Sequence, residues 1–400
     1  MTRRNFGLFF SAAGIGILGR SSAPAQSTDS PKPGNPVDQN TIRRRGTGLR
    51  ALDPLRALPG FTLFSPMRGD GTVFLIDING KLAHSWRMPY PPGLYGYLTE
   101  RGTLFYNGQI KNESFIGQSP FRGGVALEAD WSGRILWEVR NANHHHDARL
   151  LKNGNVLLLC ALELPAAIAA KIEGGRPGSE VNGKMWADYL VEVTKDGRAV
   201  WEWRTWEHLE PADYPIPFAE NERSEWTHGN AVLEMPDGNL LVSFRNISTV
   251  TKIDRRSGEV VWKLSTPILS GQHAPVPLPN GNILLFDNGP TRMDQTFPFS
   301  RVLEVHPATK EIVWQYQDGN PQSFYSDRIS NAQRLANGNT LINEGMFGRF
   351  FEVTSAGEVV WEYVNPYFGP ADRSAQKQTN SVFRVYRYTD EDVARARSAV

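Results

Sequence analysis

The chain has 400 residues, enough for two domains or one repetitive one, and its 43 basic and 42 acidic side chains give a formal charge of +1. That balance excludes a whole-molecule field directed at nucleic acid or at an anionic membrane surface. Thirty-seven Gly, 27 Pro and 11 Trp point to many turns and aromatic-bearing strands, as in all-β folds.

The N-terminus reads MTRRNFGLFFSAAGIGILGRSSAPAQS, with Arg3 and Arg4 before a weakly apolar run from Phe6 to Leu18 and a small-residue cleavage box at Ala23-Pro24-Ala25. The run is too short to span a bilayer, so residues 1–25 are expected to be a twin-arginine export signal and the mature protein periplasmic or exported. Residues 26–55, rich in Pro, Ser, Asn and Arg, are expected to form a disordered linker, and residues 56–400 a single folded domain.

Tryptophans close six similar phrases in that domain. They are GKLAHSWRM at Trp86, GRILWEV at Trp137, GRAVWEW at Trp201, GEVVWKL at Trp262, KEIVWQY at Trp314 and GEVVWEY at Trp361, spaced by 51, 64, 61, 52 and 47 residues. Each follows an apolar-alternating stretch ending in a turn, which is the pattern of a β-hairpin. From the third repeat a second phrase comes first: ARLLKNGNVLLL, AVLEMPDGNLLVSF, PVPLPNGNILLF and AQRLANGNTLIN. The first two repeats carry degenerate versions, GFTLFSPMRGDGTVFLI and GYLTERGTLFYN. About four strands per repeat at a period near 50 residues predict an all-β fold: a six-bladed β-propeller of four-stranded antiparallel blades. The blades run from roughly Pro59 to Tyr367, and SVFRVYRYT from Ser381 is a candidate closing strand. The Trp residues are expected to pack the blades rather than to do chemistry.

Cys160 is the only cysteine, so an internal disulfide and a two-cysteine metal site are both excluded. Its setting, NVLLLCALEL, reads as a buried strand. Long insertions near 162–188 and 207–226 are candidate caps over the channel. Their aromatic residues (Trp186, Tyr189, Tyr214, Phe218 and Trp226) either stack on an aromatic substrate or pack the loops.

Five of the eight His cluster by position: His144, His145 and His146 in NANHHHDARLLKNGN, His228 in SEWTHGNAVLEMPDGN, and His273 in SGQHAPVPLPNGN. Counting back from the turn aligns His146 with His273; His228 aligns with His145 if EMPDGN carries one extra residue. Three consecutive blades thus aim imidazoles at one end of one channel. Either they fill a polar, watered channel, or they form a site suited to acid–base or nucleophilic chemistry. Zinc is the weaker reading, because no chelating pair or carboxylate pattern behind the imidazoles is visible, and no cofactor is expected. Arg245, in NLLVSFRNIS, returns toward the same mouth, where a guanidinium among imidazoles suits a sulfate, phosphate or carboxylate. His84, His208 and His306 share no position in the repeat.

Through HHDARLLKNGN, WTHGNAV…FRN and QHAPVPLPNGNILLFDNG, the stretch from roughly Asn141 to Tyr363 resembles the bacterial periplasmic arylsulfate sulfotransferase family. The resemblance implies transfer of a sulfuryl group from a phenolic sulfate to a phenolic acceptor, without a nucleotide-sulfate donor (PAPS) or any dissociable cofactor. It further implies that His273 is transiently sulfurylated in a ping-pong cycle, with His228 and either His145 or His146 in support and Arg245 on the sulfuryl oxygens. Asn230 and Asn288 are the expected substrate-binding side chains. A non-catalytic propeller that binds an anionic ligand or a protein partner is the alternative, and a homodimer is left open.

Overall fold

Short strands with alternating apolar residues pair with their sequence neighbours across tight turns, and the pairing closes into a six-bladed β-propeller. The computed structural model describes residues 37–39, 46–292, 296–371 and 377–399. Blade 2 comprises Pro92–Leu98, Leu104–Gln109, Gly124–Ala129 and Ile135–Arg140; blade 3 comprises His144–Leu150, Val156–Glu163, Trp186–Val193 and Ala199–Arg204. Blade 4 is built from Gly229–Glu234, Leu240–Phe244, Thr249–Ile253 and Val260–Leu264, and blade 5 from His273–Pro277, Ile283–Asp287, Arg301–Val305 and Ile312–Tyr316. Blade 6 holds Asn331–Arg334, Thr340–Glu344, Arg349–Val353 and Val359–Val364.

Blade 1 closes the ring. Its innermost strand is the C-terminal Val382–Tyr388, paired with Phe61–Pro66, which is followed by Thr72–Asp77 and Leu82–Arg87. The closing strand foreseen in SVFRVYRYT therefore joins the two ends of the chain and leaves no open seam. The expected linker is ordered at its end: Gly48–Leu52 adds a fifth strand to blade 6 by pairing with Val359–Val364, and Ala51 and Leu52 are buried there. The expected export signal lies outside the described residues. Among the described residues no helix is long and apolar enough to cross a membrane.

The tryptophans pack between blades as expected, and most also donate a hydrogen bond to the next blade. Trp86 Nε1 donates to Asp130 O, Trp262 to Pro307 O, Trp314 to Ser355 O and Trp361 to Ile78 O, at 2.7–3.2 Å. In blade 3 this role falls to Trp203, which donates to Gly258 O at 2.8 Å, rather than to Trp201, the tryptophan that the repeat phrase singles out. Trp137 of blade 2 instead lies under the Lys195 ammonium of blade 3, 4.8 Å from its ring centre. Each indole hydrogen bond contributes about 1 kcal/mol and fixes the angle between neighbouring blades.

The axis is blocked below the histidines. Arg384 of the closing strand donates to Tyr95 Oη of blade 2 at 2.7 Å and to Asn230 O of blade 4 at 2.9 Å, and pairs with Asp147 Oδ2 of blade 3 at 3.0 Å. Tyr95 in turn donates to Asp147 Oδ1, and the whole cluster is buried. A buried ion pair is tolerated when its remaining lone pairs are satisfied, and Asp147 also accepts the Val232 N–H at 2.9 Å. One side chain thus ties four blades together and gives the mouth above it a floor.

Candidate functional site

Pairing of the two innermost strands is interrupted in blades 2 to 5. In blade 3 His144 faces Cys160 and Ala148 faces Leu158, so three residues on one strand oppose one on the other. Pairing is also interrupted in blade 4 between Gly229 and Ala231 and in blade 5 between His273 and Val276. Next to each interruption stands a non-glycine residue of positive φ: Leu94 at 101°, His146 at 50°, His228 at 50° and Ala274 at 50°; Ile329, at 55°, precedes the regularly paired inner strand of blade 6. Bulges re-aim side chains, and non-glycine residues held at such angles cluster at functional sites. The turn EMPDGN carries no extra residue, because Glu234 faces Leu240 just as Leu150 faces Val156. Asn230, not His228, therefore shares the count from the turn with His146 and His273.

His146, His228 and His273 come together at one mouth of the channel. The His146 and His228 rings lie 4.8 Å apart, and both pack on Phe121 at 4.7 Å. Phe383 bridges to the other side, 6.0 Å from His146 and 6.2 Å from His273. Arg245 follows the second strand of blade 4, and its N–H donates to His228 O at 3.0 Å. Its side chain is half-buried by surface area yet closely surrounded by protein. The Nε is buried and unpaired, and among the described residues the guanidinium makes no hydrogen bond or ion pair. Burial lowers its pKa, against the pull of Asp327 and Glu225, but a guanidinium remains cationic.

Each imidazole is held by at least one nitrogen. His228 Nδ1 lies 2.6 Å from Glu225 Oε2. His145 Nε2 lies 2.9 Å from Asp188 Oδ1, with the N–H bent off the line of an ideal hydrogen bond, and its Nδ1 is 2.7 Å from His146 Nδ1. His273 Nδ1 faces Asn288 Oδ1 at 2.8 Å; the Asn288 amide donates to Ser326 O and Ile329 O, which fixes that oxygen toward the ring. His273 Nδ1 therefore carries the proton, and its Nε2 accepts the Ile329 N–H at 3.1 Å. Burial, and then the charge of Arg245, hold His273 well below the ordinary histidine value. Burial and the neighbouring His228, His145, His273 and Arg245 do the same for His146. Both rings are thus neutral near pH 7. His144 is not part of this face: it accepts the Gly124 N–H at 3.1 Å, and burial lowers its pKa to about 4.

Asn288 holds His273 and is fully buried, so it positions that ring rather than contacting a ligand. Asn230 donates to Gln272 O at 2.8 Å and keeps an unpaired, buried Oδ1. Most aromatic residues of the insertions are packing: Trp226 and Tyr214 are buried, with Trp226 Nε1 on Tyr214 O at 2.9 Å, and Tyr189 lies in a blade core. Trp186 stacks on Phe115 at 4.1 Å. The two insertions bridge to each other at Gly174–Ile216, Arg176–Glu222 and Trp186–Glu225, and so seat Glu225 behind His228.

Sequence reading missed Asp188, Glu225, Phe121, Phe383 and Ile329. Glu225 carried a local signal, the Glu-x-x-His spacing in SEWTH, whereas Asp188 comes from the third strand of the blade that holds His145, and Phe121 from the blade 2 loop. Carboxylates do stand behind two of the imidazoles, Asp188 behind His145 and Glu225 behind His228, contrary to the expectation that none would. Among the described residues no three His, Cys, Asp or Glu side chains are arranged to hold a metal ion.

A sequence model described as arylsulfotransferase (ASST) matches residues 69–269 and 266–384. No curated protein matches the chain. Among solved structures, the chain is similar to a protein of unknown function from Bacteroides caccae at 15% identity, covering 81% of this chain and 97% of that one with a TM-score of 0.48. It is also similar to a streptogramin B lyase, at 10% identity over 81% and 84% of the two chains with a TM-score of 0.44. A third similar structure is virginiamycin B lyase from Staphylococcus aureus, at 12% identity over 76% and 84% with a TM-score of 0.42.

Proposed function

We propose, for a chain that belongs to the arylsulfotransferase family, that it moves a sulfuryl group from a phenolic sulfate to a phenolic acceptor without a nucleotide-sulfate donor, through a sulfohistidine on His273. The observation that carries this reading is an unpaired guanidinium, Arg245, beside neutral imidazoles at one closed-bottomed mouth. A neutral nitrogen is a nucleophile and a protonated one is not.

In the first half-reaction His273 Nε2 attacks sulfur, the ester S–O bond breaks and the phenolate leaves. Charge spreads over the sulfuryl oxygens in a loose transition state, by analogy with phosphoryl transfer. Arg245, with His228 held by Glu225, stabilises that charge; each positioned donor is worth about 3 kcal/mol by comparison with oxyanion holes. The second phenol then takes the group back from His273. Phe121 and Phe383 offer apolar ring faces for the aryl group. Export through residues 1–25 puts this chemistry in the periplasm.

The Ile329 N–H on His273 Nε2 favours a second reading, a propeller that binds an anion without turning it over. Single-turnover mixing with 4-nitrophenyl sulfate separates the two. Transferase activity predicts a burst of nitrophenolate and a sulfuryl-sized mass gain on a His273 peptide, both absent in His273→Ala. Binding without a burst leaves the ligand-binding propeller.

A further inference from the structure

His145 and His146 are adjacent in sequence, yet their rings do different things. The left-handed backbone at His146 turns its ring into the mouth, while His145 stays fully buried beneath, edge-on to it. Their Nδ1 atoms, 2.7 Å apart, hold one proton between them. His145 Nε2 stands 2.9 Å from Asp188 Oδ1. A bare lone pair there would face a carboxylate oxygen, so that nitrogen carries a hydrogen and, in the neutral ring, Nδ1 is the acceptor. His146 must then donate from Nδ1, which leaves its Nε2 as a free lone pair facing the mouth, without a hydrogen bond to any described residue. Asp188 is itself fixed: its Oδ2 accepts the Thr227 hydroxyl and the Gly229 N–H, the latter at 2.7 Å.

Resting on the transferase reading above, we propose that Asp188, His145 and His146 form a proton relay in which His146 Nε2 takes the proton of the acceptor phenol and the charge is passed to the His145–Asp188 pair. As Nε2–H forms on His146, the Nδ1–H bond of His146 breaks and an Nδ1–H bond forms on His145. His146 ends neutral, and an imidazolium stands against a carboxylate. Once an acceptor has charged the pair, the reverse shift returns that proton through His146 Nε2 to the departing phenolate of the next donor. No other reactant is needed.

The surroundings explain why a relay serves better than His146 alone. His146 is faced by His228 and Arg245 from blade 4, His273 from blade 5, Phe383 from the closing strand and Phe121 from the blade 2 loop. Burial and the cationic side of that set work against a positive charge on its ring. His145 is faced by Phe121 and by the backbone of Arg122, and at its Nε2 by the Asp188 carboxylate. Moving the charge one ring deeper takes it away from Arg245 and onto a partner. Asp188 and His145 are positioning residues; His146 alone touches the acceptor.

Asp188→Asn tests this with almost no change of shape. The Gly229 N–H demands an acceptor at the old Oδ2 position, so the amide nitrogen must face His145 Nε2. That forces the hydrogen of His145 to Nδ1 and leaves His146 with its lone pair at Nδ1 and its hydrogen at Nε2. Nitrogen-15 spectra of histidine-labelled protein, with His146 identified by its loss in His146→Gln, should report Nε2 unprotonated in the parent and protonated in Asp188→Asn. Transfer to phenol should fall about 10²-fold or more, the usual worth of a general base. The first-turnover burst with 4-nitrophenyl sulfate, whose leaving group needs no acid, should persist. The loss should shrink as the acceptor phenol becomes more acidic. His145→Gln should give the same kinetic split.

An unchanged His146 tautomer, or equal losses in both half-reactions, overturns the relay. A parent protein with no burst removes the transferase reading, and the tautomer result then still decides whether the three residues are linked as described.

Discussion

Arg245→Met separates function from stability in opposite directions. Methionine keeps the length of the aliphatic stem but removes the cation. The folded protein holds the guanidinium with a buried, unpaired Nε and no ion pair among the described residues, and burial pushes its pKa down. An unsatisfied buried donor costs about 1–3 kcal/mol, so the substitution should stabilise the empty protein by something on that order. Any charge-assisted bond to a sulfuryl oxygen disappears with it, which should slow the first turnover about 10²-fold. Ligand linkage gives the complementary reading: sulfate or an unreactive aryl sulfonate at about 100 times its dissociation constant should raise the unfolding free energy of the parent by about 2.7 kcal/mol and that of the variant by far less. Urea unfolding with and without anion, together with burst kinetics, measures all three. A variant less stable than the parent in the absence of anion would mean that the guanidinium has a structural partner. A variant that keeps its anion-induced stabilisation would mean that the anion binds elsewhere. Either result refutes the assignment.

Two further outcomes follow from the buried groups around the mouth. An imidazole whose pKa is lower folded than unfolded binds fewer protons in the folded state, so its contribution is full above 6.5 and lost as pH falls; for His144, lowered to about 4, the loss between those values is about 3 kcal/mol, with His146 and His273 acting in the same direction. Unfolding midpoints should therefore drop between pH 6.5 and about 4, less steeply in His144→Gln; an unchanged slope in that variant would refute the buried neutral ring. Arg384→Met leaves Asp147 charged and buried with only Tyr95, the Val232 N–H and Arg149 at 3.5 Å, and should cost about 3–5 kcal/mol in urea unfolding; a loss under about 1 kcal/mol would mean that the axis is not held by this pair.

The frame was legible because its signals are local. Alternation, Asn-Gly turns and the tryptophan phrases recur within each blade, and the closing strand announced itself as an apolar segment after the last repeat. The histidines and Arg245 were legible for the same reason, since each sits at a countable distance from a turn. What the sequence hid lies between blades. Arg384 meets Tyr95 across 289 positions, and His273 meets the Ile329 amide across 56. Asp188 belongs to a strand that reads as ordinary blade core. Trp203, opposite Leu190, shares its register position with Trp86, opposite Val73 in blade 1, two residues beyond the position of Trp262, Trp314 and Trp361, so phrases alike in sequence differ in register.

The site divides by blade, and the division bears on which part must move. Blade 3 supplies the base side, through Asp188, His145 and His146, all buried and anchored to a floor that Arg384 locks to four blades. Blade 5 supplies His273, whose ring is equally fixed by Asn288. Only the segment 326–330 between blades 5 and 6 stands in the way: its Ile329 N–H occupies Nε2 at 3.1 Å, and no sulfur can enter a contact of that length. That segment also carries two consecutive non-glycine residues of positive φ, Ile329 at 55° and Ser330 at 86°. A β-branched residue held at such an angle costs about 1–3 kcal/mol, comparable to the hydrogen bond released when it withdraws. If His273 is the nucleophile, opening this segment is therefore close to isoenergetic, and the histidine frame need not move at all.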